Sequence, residues 1–312
     1  MHRKLIMIGT RASKLALIQA HNVMDHLINS GYRGKIELVK ITTTGDKILD
    51  APLAKVGGKG LFVKEIEEAL LQKRIDIAVH SMKDVPSEMV DDLCIGAITE
   101  RFDPRDVLVS ENKTILKHLP DEAVIGTCSL RRQTQILHYR PSFQIVQLRG
   151  NLETRLRRVG AGGIDAIILA AAGLHRMGME EEITEYLPMD FFLPAVAQGA
   201  LGIQIRKDDG DIAEIIKPLD HENSRLCIEA ERAFLKRLEG SCQVPIAGSA
   251  QIDGESMNIE GLVGSLNGET IIRDSMCGNY LTGEEMGITL AETILSRGGD
   301  KILKEIFENE SK

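Results

Sequence analysis

Tryptophan is absent from these 312 residues, and phenylalanine and tyrosine bring the aromatic share to only 4%. Aromatic platforms on which single-stranded nucleic acid could stack are therefore not expected. Positive charge is in deficit too: 38 Lys+Arg face 46 Asp+Glu, a formal net charge of −8. That balance disfavours non-specific binding to nucleic acid or membrane, yet it leaves room for a local basic pocket. No window approaches the roughly 18 apolar residues of a membrane span. The early run LIMIG is too short for the apolar region of a signal peptide, and Arg11 and Lys14 follow it closely. The five cysteines, at 94, 128, 227, 242 and 277, are odd in number and lack CxxC spacing. This argues against a disulfide framework and against a zinc site. The expectation is a cytoplasmic protein with reduced thiols, no nucleic-acid partner, no membrane and no metal.

The chain is long for one hydrophobic core and implies two or three domains. LIMIG (5–9) reads as a buried strand. SKLALIQAHNVMDHLI (13–28) has helical periodicity with Ser13 as N-cap. IELVKI (36–41), a helix over 58–73 and DIAVHS (76–81) continue a strand–helix alternation that predicts a parallel α/β sheet. The pattern recurs with AVIGT (123–127), SLRRQTQIL (129–137), FQIVQLR (143–149), NLETRLRRVG (151–160) and DAIILA (165–170). Two similar α/β lobes follow, joined by a first crossing at RFDPRD (101–106) and a second at LPAVAQGALGIQIR (193–206). Such a return implies a two-stranded hinge beside an interlobe cleft. The expected division is residues 1–100 with 200–217 as domain 1, 101–199 as domain 2, and 218–312 as a small C-terminal α+β domain. The last opens with a helix over 224–238 and continues with β-like runs.

Arginine is the first constellation with chemical content. Between Gly126 and Arg158 stand Arg131, Arg132, Arg140, Arg149, Arg155, Arg157 and Arg158, with Glu153 the one acid and no lysine. Arg11 and Arg176 lie at what read as similar strand-to-helix exits. Guanidinium forks bind carboxylate or phosphate in a bidentate way, and α/β sheets bind ligands outside the carboxyl ends of their strands. A solvated helix face accounts for Arg140, Arg157 and Arg158. A polyanion pocket is the reading for Arg131, Arg132, Arg149 and Arg155. HSMKDVP (80–86) carries a base, a cation and a carboxylate at a strand end. Asp84 could simply cap a turn before Pro86; in a basic cleft it could instead stabilise a cation or move a proton. KVGGKGLF (55–62) fails the GxxxxGK[ST] pattern and reads as a loop presenting Lys55 and Lys59. Cys242, in LEGSCQVPIAG, has Gly, Ser, Gln and Pro around it rather than a core, and a turn thiol near cations is a nucleophile. Cys128 raises the same question more weakly.

The motifs GTRASKLAL, VGGKGLF, DIAVHSMKDVP, DPRD, SLRRQ, LRGN, TRL, DAIILAAAGL, LPAVAQGALGI and LEGSCQVPI follow one another in one order. Together they resemble the porphobilinogen deaminase (hydroxymethylbilane synthase) family, from residue 5 to about 300. The resemblance implies a transferase of tetrapyrrole, porphyrin and heme biosynthesis. Such an enzyme joins four porphobilinogen molecules head to tail, releases four ammonia molecules and yields hydroxymethylbilane. It works on a dipyrromethane primer held by a thioether, and the matching thiol is Cys242. Asp84 matches the catalytic carboxylate, which also faces the cofactor. Arg131, Arg132, Lys83 and Ser129 match cofactor-binding positions. Arg11, Ser13, Thr127, Arg149, Arg155 and Arg176 match positions for the substrate's acetate and propionate, and Lys55 and Lys59 a mobile cover. Loss of ammonia leaves an azafulvenium cation, which a fixed carboxylate stabilises.

The family's first two domains are also similar to periplasmic-binding-protein lobes with a double crossover, and a monomer is implied. Departures are Cys128 where serine is usual, Ser241 where glycine often precedes the anchor, and His175 where a basic residue is common. A solute-binding protein and a thiol-dependent acyl or phosphoryl transferase are the competing readings. The first is disfavoured by the Cys242 domain, the second by the lack of a legible base for the thiol.

Overall fold

The computed structural model describes residues 3–47, 63–240 and 244–310. The chain divides into two compact units, Met1–Phe102 with Ala200–Arg225, and Asp103–Gly199 with Leu226–Lys312. Two α/β lobes and a small C-terminal α+β domain make up the fold.

In the first unit, β1 (Leu5–Arg11), β2 (Lys35–Ile41) and β3 (Ile77–Ser81) run parallel. β10 (Leu201–Arg206) and β4 (Leu93–Ile98) complete the order β2-β1-β3-β10-β4, with β10 antiparallel to both neighbours. Side chains alternate across a strand, so Ile6, Ile8, Ile77 and Val79 share one core with Ala20, Val23 and Leu27. The last three lie along one face of α1 (Lys14–Asn29), whose N-cap Ser13 accepts from the Ala16 amide. On the opposite face Met7, Val39 and Ala78 meet Ile66, Ala69 and Leu70 of α2 (Lys64–Leu71). The expected helix over 58–73 is thus seen from Lys64; its earlier residues lie outside the described ones.

The second unit repeats the plan. β6 (Val124–Gly126), β7 (Gln144–Val146) and β8 (Ala166–Ala170) are parallel, and β5 (Asp106–Ser110) and β9 (Glu185–Tyr186) extend the sheet in the order β7-β6-β8-β5-β9. β5 is antiparallel to β8 and to β9. α3 (Leu130–Tyr139) covers one face through Ile136, while α5 (Ala171–Met177) covers the other through Leu174. The short helix α4 (Leu152–Leu156) begins after Gly150, whose φ of 109° turns the chain out of β7 before Asn151 caps it.

Both sheets are therefore mixed, which corrects the expectation of a purely parallel sheet. The antiparallel strands β5 and β10 are the segments that enter each lobe straight after a crossing, and a strand arriving from outside has no βαβ connection to force it parallel. Their run of buried apolar residues marks them as central strands.

In the C-terminal part, α7 (Glu222–Arg237) precedes an antiparallel meander of β11 (Ile246–Asp253), β12 (Ser256–Gly264) and β13 (Ile271–Asn279), then α8 (Gly283–Ile294) and α9 (Asp300–Glu310). α6 (Gly210–Ile216) lies before it, in the first unit. Phe234 on α7 is fully buried, and a Cβ at Gly261 would stand 2.4 Å from its ring. The meander is tied to α3: Thr134 donates to Ser265 O at 2.8 Å and Gln133 to Leu266 O at 3.0 Å. No helix among the described residues is long and apolar enough to cross a membrane.

Candidate active site

In a parallel arrangement the carboxyl ends of the strands share one edge, and each unit gathers its expected residues there. In the first unit Arg11 is the last residue of β1. Its guanidinium grips Asp46, with Nε 3.1 Å from Oδ1 and NH2 on the same oxygen. Burial opposes ionisation of Asp46, but Arg11 and the Thr43 hydroxyl outweigh it and hold the carboxyl below its usual range. Met82–Asp84 form one 3-10 turn directly after β3. Met82 and Val85 are buried, whereas Asp84 between them is exposed, and its carboxylate makes no hydrogen bond among the described residues. It caps neither helix nor turn, so the structural reading weighed for it does not apply. Lys83 is half-buried beside it. Lys55 and Lys59 lie outside the described residues.

Behind this turn His80 is buried on β3, 2.9 Å from Gln204 Oε1. Gln204 gives its amide to Glu67 at 2.9 Å, which leaves its oxygen facing the ring and makes His80 Nε2 the donor. Burial brings the His80 pKa down to about 4, against the opposing pull of Gln204 and Asp84. The folded state thus refuses a proton that the unfolded chain accepts near 6.5. Stability contributed by neutral His80 is complete above that pH and is lost as pH falls from about 6.5 to about 4, on the order of 3 kcal/mol in all. Urea unfolding at about pH 7 and about pH 5 should show this loss in the wild type, and His80→Gln should flatten it.

In the second unit Thr127 is buried at the end of β6, and its hydroxyl accepts from the Ser129 amide at 3.2 Å. Ser129 caps α3 by accepting from the Arg132 amide. Arg131 and Arg132 then fall in the first helical turn, where the helix end is itself positive and cations are disfavoured. Both are nevertheless buried, at 4% and 6% exposure. The reason is Asp106, fully buried at the start of β5. Because β5 runs antiparallel to β8, its first residue pairs with Ala170 and so reaches the carboxyl edge. Asp106 accepts from Arg131 NH1 at 2.6 Å and from Arg132 NH2 at 2.7 Å and Nε at 3.1 Å. Gln198 Nε2 adds a fourth donor at 3.1 Å. Burial pulls the Arg131 pKa down from its ordinary value, and Asp106 works against that pull.

Arg149 follows β7, is half-buried and makes no hydrogen bond among the described residues. Arg155, on α4, returns to Gly150 O at 2.9 Å. Arg176 is not at a strand exit as expected; it lies in the last turn of α5 and donates to Gly199 O at 2.6 Å. Burial brings its pKa to about 10, which leaves it cationic at neutral pH. Arg157 and Arg158 are exposed, as a solvated face requires, while Arg140 is half-buried and donates to Leu119 O at 2.8 Å. Cys128 is half-buried, and His175 bonds Tyr186 at 2.9 Å. Cys242 lies outside the described residues; the residues either side, Leu238 and Val244, are buried.

Two family models match the chain: "Porphobilinogen deaminase, dipyromethane cofactor binding domain" over residues 6–214 and "Porphobilinogen deaminase, C-terminal domain" over residues 225–296. The chain belongs to the porphobilinogen deaminase family. It is 52% identical over 304 residues to the porphobilinogen deaminase of Geobacter sulfurreducens, covering 97% of this chain and 95% of that one. The enzyme of that name from Shouchella clausii is 51% identical over 304 residues, covering 96% and 97%. A solved structure of the methionine binding protein MetQ is similar over 69% of this chain and 88% of its own, at 13% identity and a TM-score of 0.41.

A dipyrromethane carries carboxylate side chains, and the donor set of the second unit suits such a group. Two guanidinium ions share one carboxylate, so the buried cluster keeps one excess positive charge at a helix N-terminus. Both hydrogen bonds that Arg131 donates leave from NH1, to Asp106 and to Leu193 O, and its Nε and NH2 have no acceptor among the described residues. That leaves a planar fork with the geometry a carboxylate takes. Sequence reasoning missed Asp106, Asp46 and Gln198. Asp106 stood in the DPRD motif as part of a charged crossing, and nothing in spacing alone brings it to Arg131 and Arg132.

Proposed function

We propose that this chain is a hydroxymethylbilane synthase that condenses four porphobilinogen molecules head to tail, with release of four ammonia molecules, on a dipyrromethane primer attached to Cys242. When bound, the primer supplies the pyrrole end on which the chain grows. The observation that carries the reading is the buried pair Arg131 and Arg132 on the single carboxylate of Asp106. An excess cation held away from water at a helix N-terminus is suited to a polycarboxylate.

The residues divide the work. Arg131 and Ser129 hold carboxylates of the primer, and Arg132 belongs to the same cofactor site as the residue braced beside them. Arg149, Arg155, Arg176, Thr127, Arg11 and Ser13 hold those of the incoming porphobilinogen and the growing chain, with Lys55 and Lys59 covering them. Asp84, with Lys83 beside it, faces the pyrrole N–H groups. It stabilises positive charge as the aminomethyl group departs, and it relays the proton. The protein works as a cytoplasmic monomer, with domain limits at residues 1–100 with 200–217, 101–199 and 218–312.

Incubation of the purified chain with porphobilinogen tests this. One ammonia released per porphobilinogen consumed, with an intact mass larger than the polypeptide by two linked pyrrole units, is the expected result. No ammonia and no adduct would return the chain to the solute-binding reading. Within the same assay, Arg131→Leu, Arg132→Leu and Arg149→Leu should each lower turnover by roughly 10²-fold or more, since lost charge-assisted contacts at a buried site are worth several kcal/mol. Arg157→Leu, on an exposed face, should stay within about twofold. Equal activity across the series would remove the pocket assignment.

A further inference from the structure

We infer that Asp106 is the positioning residue of the cofactor site: it sets the orientation of Arg131 and Arg132 so that Arg131 presents its Nε–NH2 edge to a carboxylate, while Arg132 serves as a fixed bracket. The inference rests on the proposed function above and extends it to a residue outside the motif-matched set.

The geometry separates the two arginines. All three nitrogens of Arg132 are engaged: Nε and NH2 on Asp106 Oδ1, and NH1 on Ile168 O at 2.9 Å. Such a guanidinium cannot turn to a ligand without breaking buried hydrogen bonds. Among the described residues Arg131 is held only through NH1, between Asp106 Oδ2 at 2.6 Å and Leu193 O at 2.7 Å. Its remaining edge has no acceptor among the described residues, though the side chain is 5% exposed. Neither nitrogen of that edge is a buried orphan, so the edge lies open to an anionic ligand while the rest of the side chain is held.

Asp106 fixes this difference because its own two oxygens are divided. Oδ2 takes Arg131, and Oδ1 takes Arg132 and Gln198. Gln198 is tied in turn to Pro104 O at 2.7 Å, and the Asp106 backbone is locked by the β5–β8 ladder. The carboxylate therefore cannot rotate to satisfy Arg131 more fully. Two cations at the positive end of α3 need two anions, and Asp106 supplies one. The ligand supplies the second.

The test uses full-length apoprotein, purified from cells that make no porphobilinogen, for the wild type and Asp106→Asn. Porphobilinogen is added, and the gain in intact mass is followed with time beside thermal melting of the apoprotein. Positioning predicts that folded Asp106→Asn gains the two-pyrrole mass roughly tenfold or more slowly than wild type, because a misdirected fork loses the oriented encounter. A purely structural role would lower the melting temperature but leave the folded fraction loading at the wild-type rate, and that result overturns the inference. If Asp106→Asn does not fold, Asp106→Asn/Arg132→Gln restores the net charge of the cluster without the bracket. Slow loading of that double variant supports positioning, and wild-type loading overturns it by reducing Asp106 to a charge balance. A wild-type chain that gains no mass would instead remove the proposed function, and the inference with it.

Discussion

Cys242→Ser is expected to purify with the mass of the bare polypeptide and to turn over porphobilinogen at less than about a thousandth of the wild-type rate. A thiol is partly ionised near neutral pH and attacks carbon readily; a serine hydroxyl is not and needs an activating base. On the proposed reading, loss of the thioether removes the primer, and with it the covalent tether that keeps every later pyrrole at the site. The fold should not suffer. Leu238 and Val244 are buried on either side of the anchor segment, and Gly240 N–H closes onto Leu235 O at 3.0 Å. A Cβ on Gly240 would come within 2.6 Å of the side-chain tips of both Leu235 and Ile246, so the chain is closely packed where it leaves α7. Melting of apo Cys242→Ser should therefore match the wild-type apoprotein. The other cysteines provide the control. Burial raises the Cys94 pKa and makes that thiol less reactive, and Cys227 is buried. Cys128→Ser and Cys277→Ser should keep the full adduct. An adduct that survives in Cys242→Ser and vanishes in Cys128→Ser would move the anchor to α3.

The helices and parallel strands were legible because their patterns are local. Ser13 before an apolar stripe gives α1, and the unbroken apolar runs at 77–81 and 166–170 give β3 and β8. The strands that sequence reading missed, β4, β5, β9 and β10, are the last strand of each sheet and the two that enter after a crossing. Their partners are distant in sequence, so no neighbouring helix or turn announces them. The same physics hid Asp106. Its role exists only because an antiparallel strand brings its first residue to the edge where α3 begins, 25 positions away from Arg131. Arg131 and Arg132 could be chosen from their company of arginines and their strand-exit position. That one has an edge to spare and the other has none depends on backbone carbonyls of Leu193 and Ile168, which no motif encodes. Arg176 reads in the sequence as a strand-to-helix exit, yet five residues of α5 separate it from β8; the strand's carboxyl end and the helix's last turn are different places.

Asp84 should show the reverse of a structural carboxylate: a large loss of rate on replacement and almost none of stability. Its backbone is fixed from both sides. Met82 N–H donates to Ala200 O at 3.0 Å, its side chain is 1% exposed, and Val85 is 5% exposed. Gly202 on β10 is part of that fixing, since a Cβ there would meet the Met82 sulfur at 2.5 Å. The side chain between these anchors satisfies no donor among the described residues, so folding gains little from it. Asp84→Asn keeps the shape and removes the charge; kcat is expected to fall by about 10³-fold, the range of a lost acid–base group combined with lost charge stabilisation. Asp84→Glu keeps the charge and moves it by about one methylene, and a displacement of that size costs about 10²-fold. KM should change far less in both, because the proposed function gives the substrate carboxylates to the arginines rather than to Asp84. Unfolding free energies of both variants should lie within about 0.5 kcal/mol of wild type. Turnover of Asp84→Asn close to wild type would show that the cationic stage is stabilised elsewhere. Equal losses in rate and stability would mean that the turn after β3 needs the carboxylate to form, and the catalytic reading of Asp84 would fall with either result.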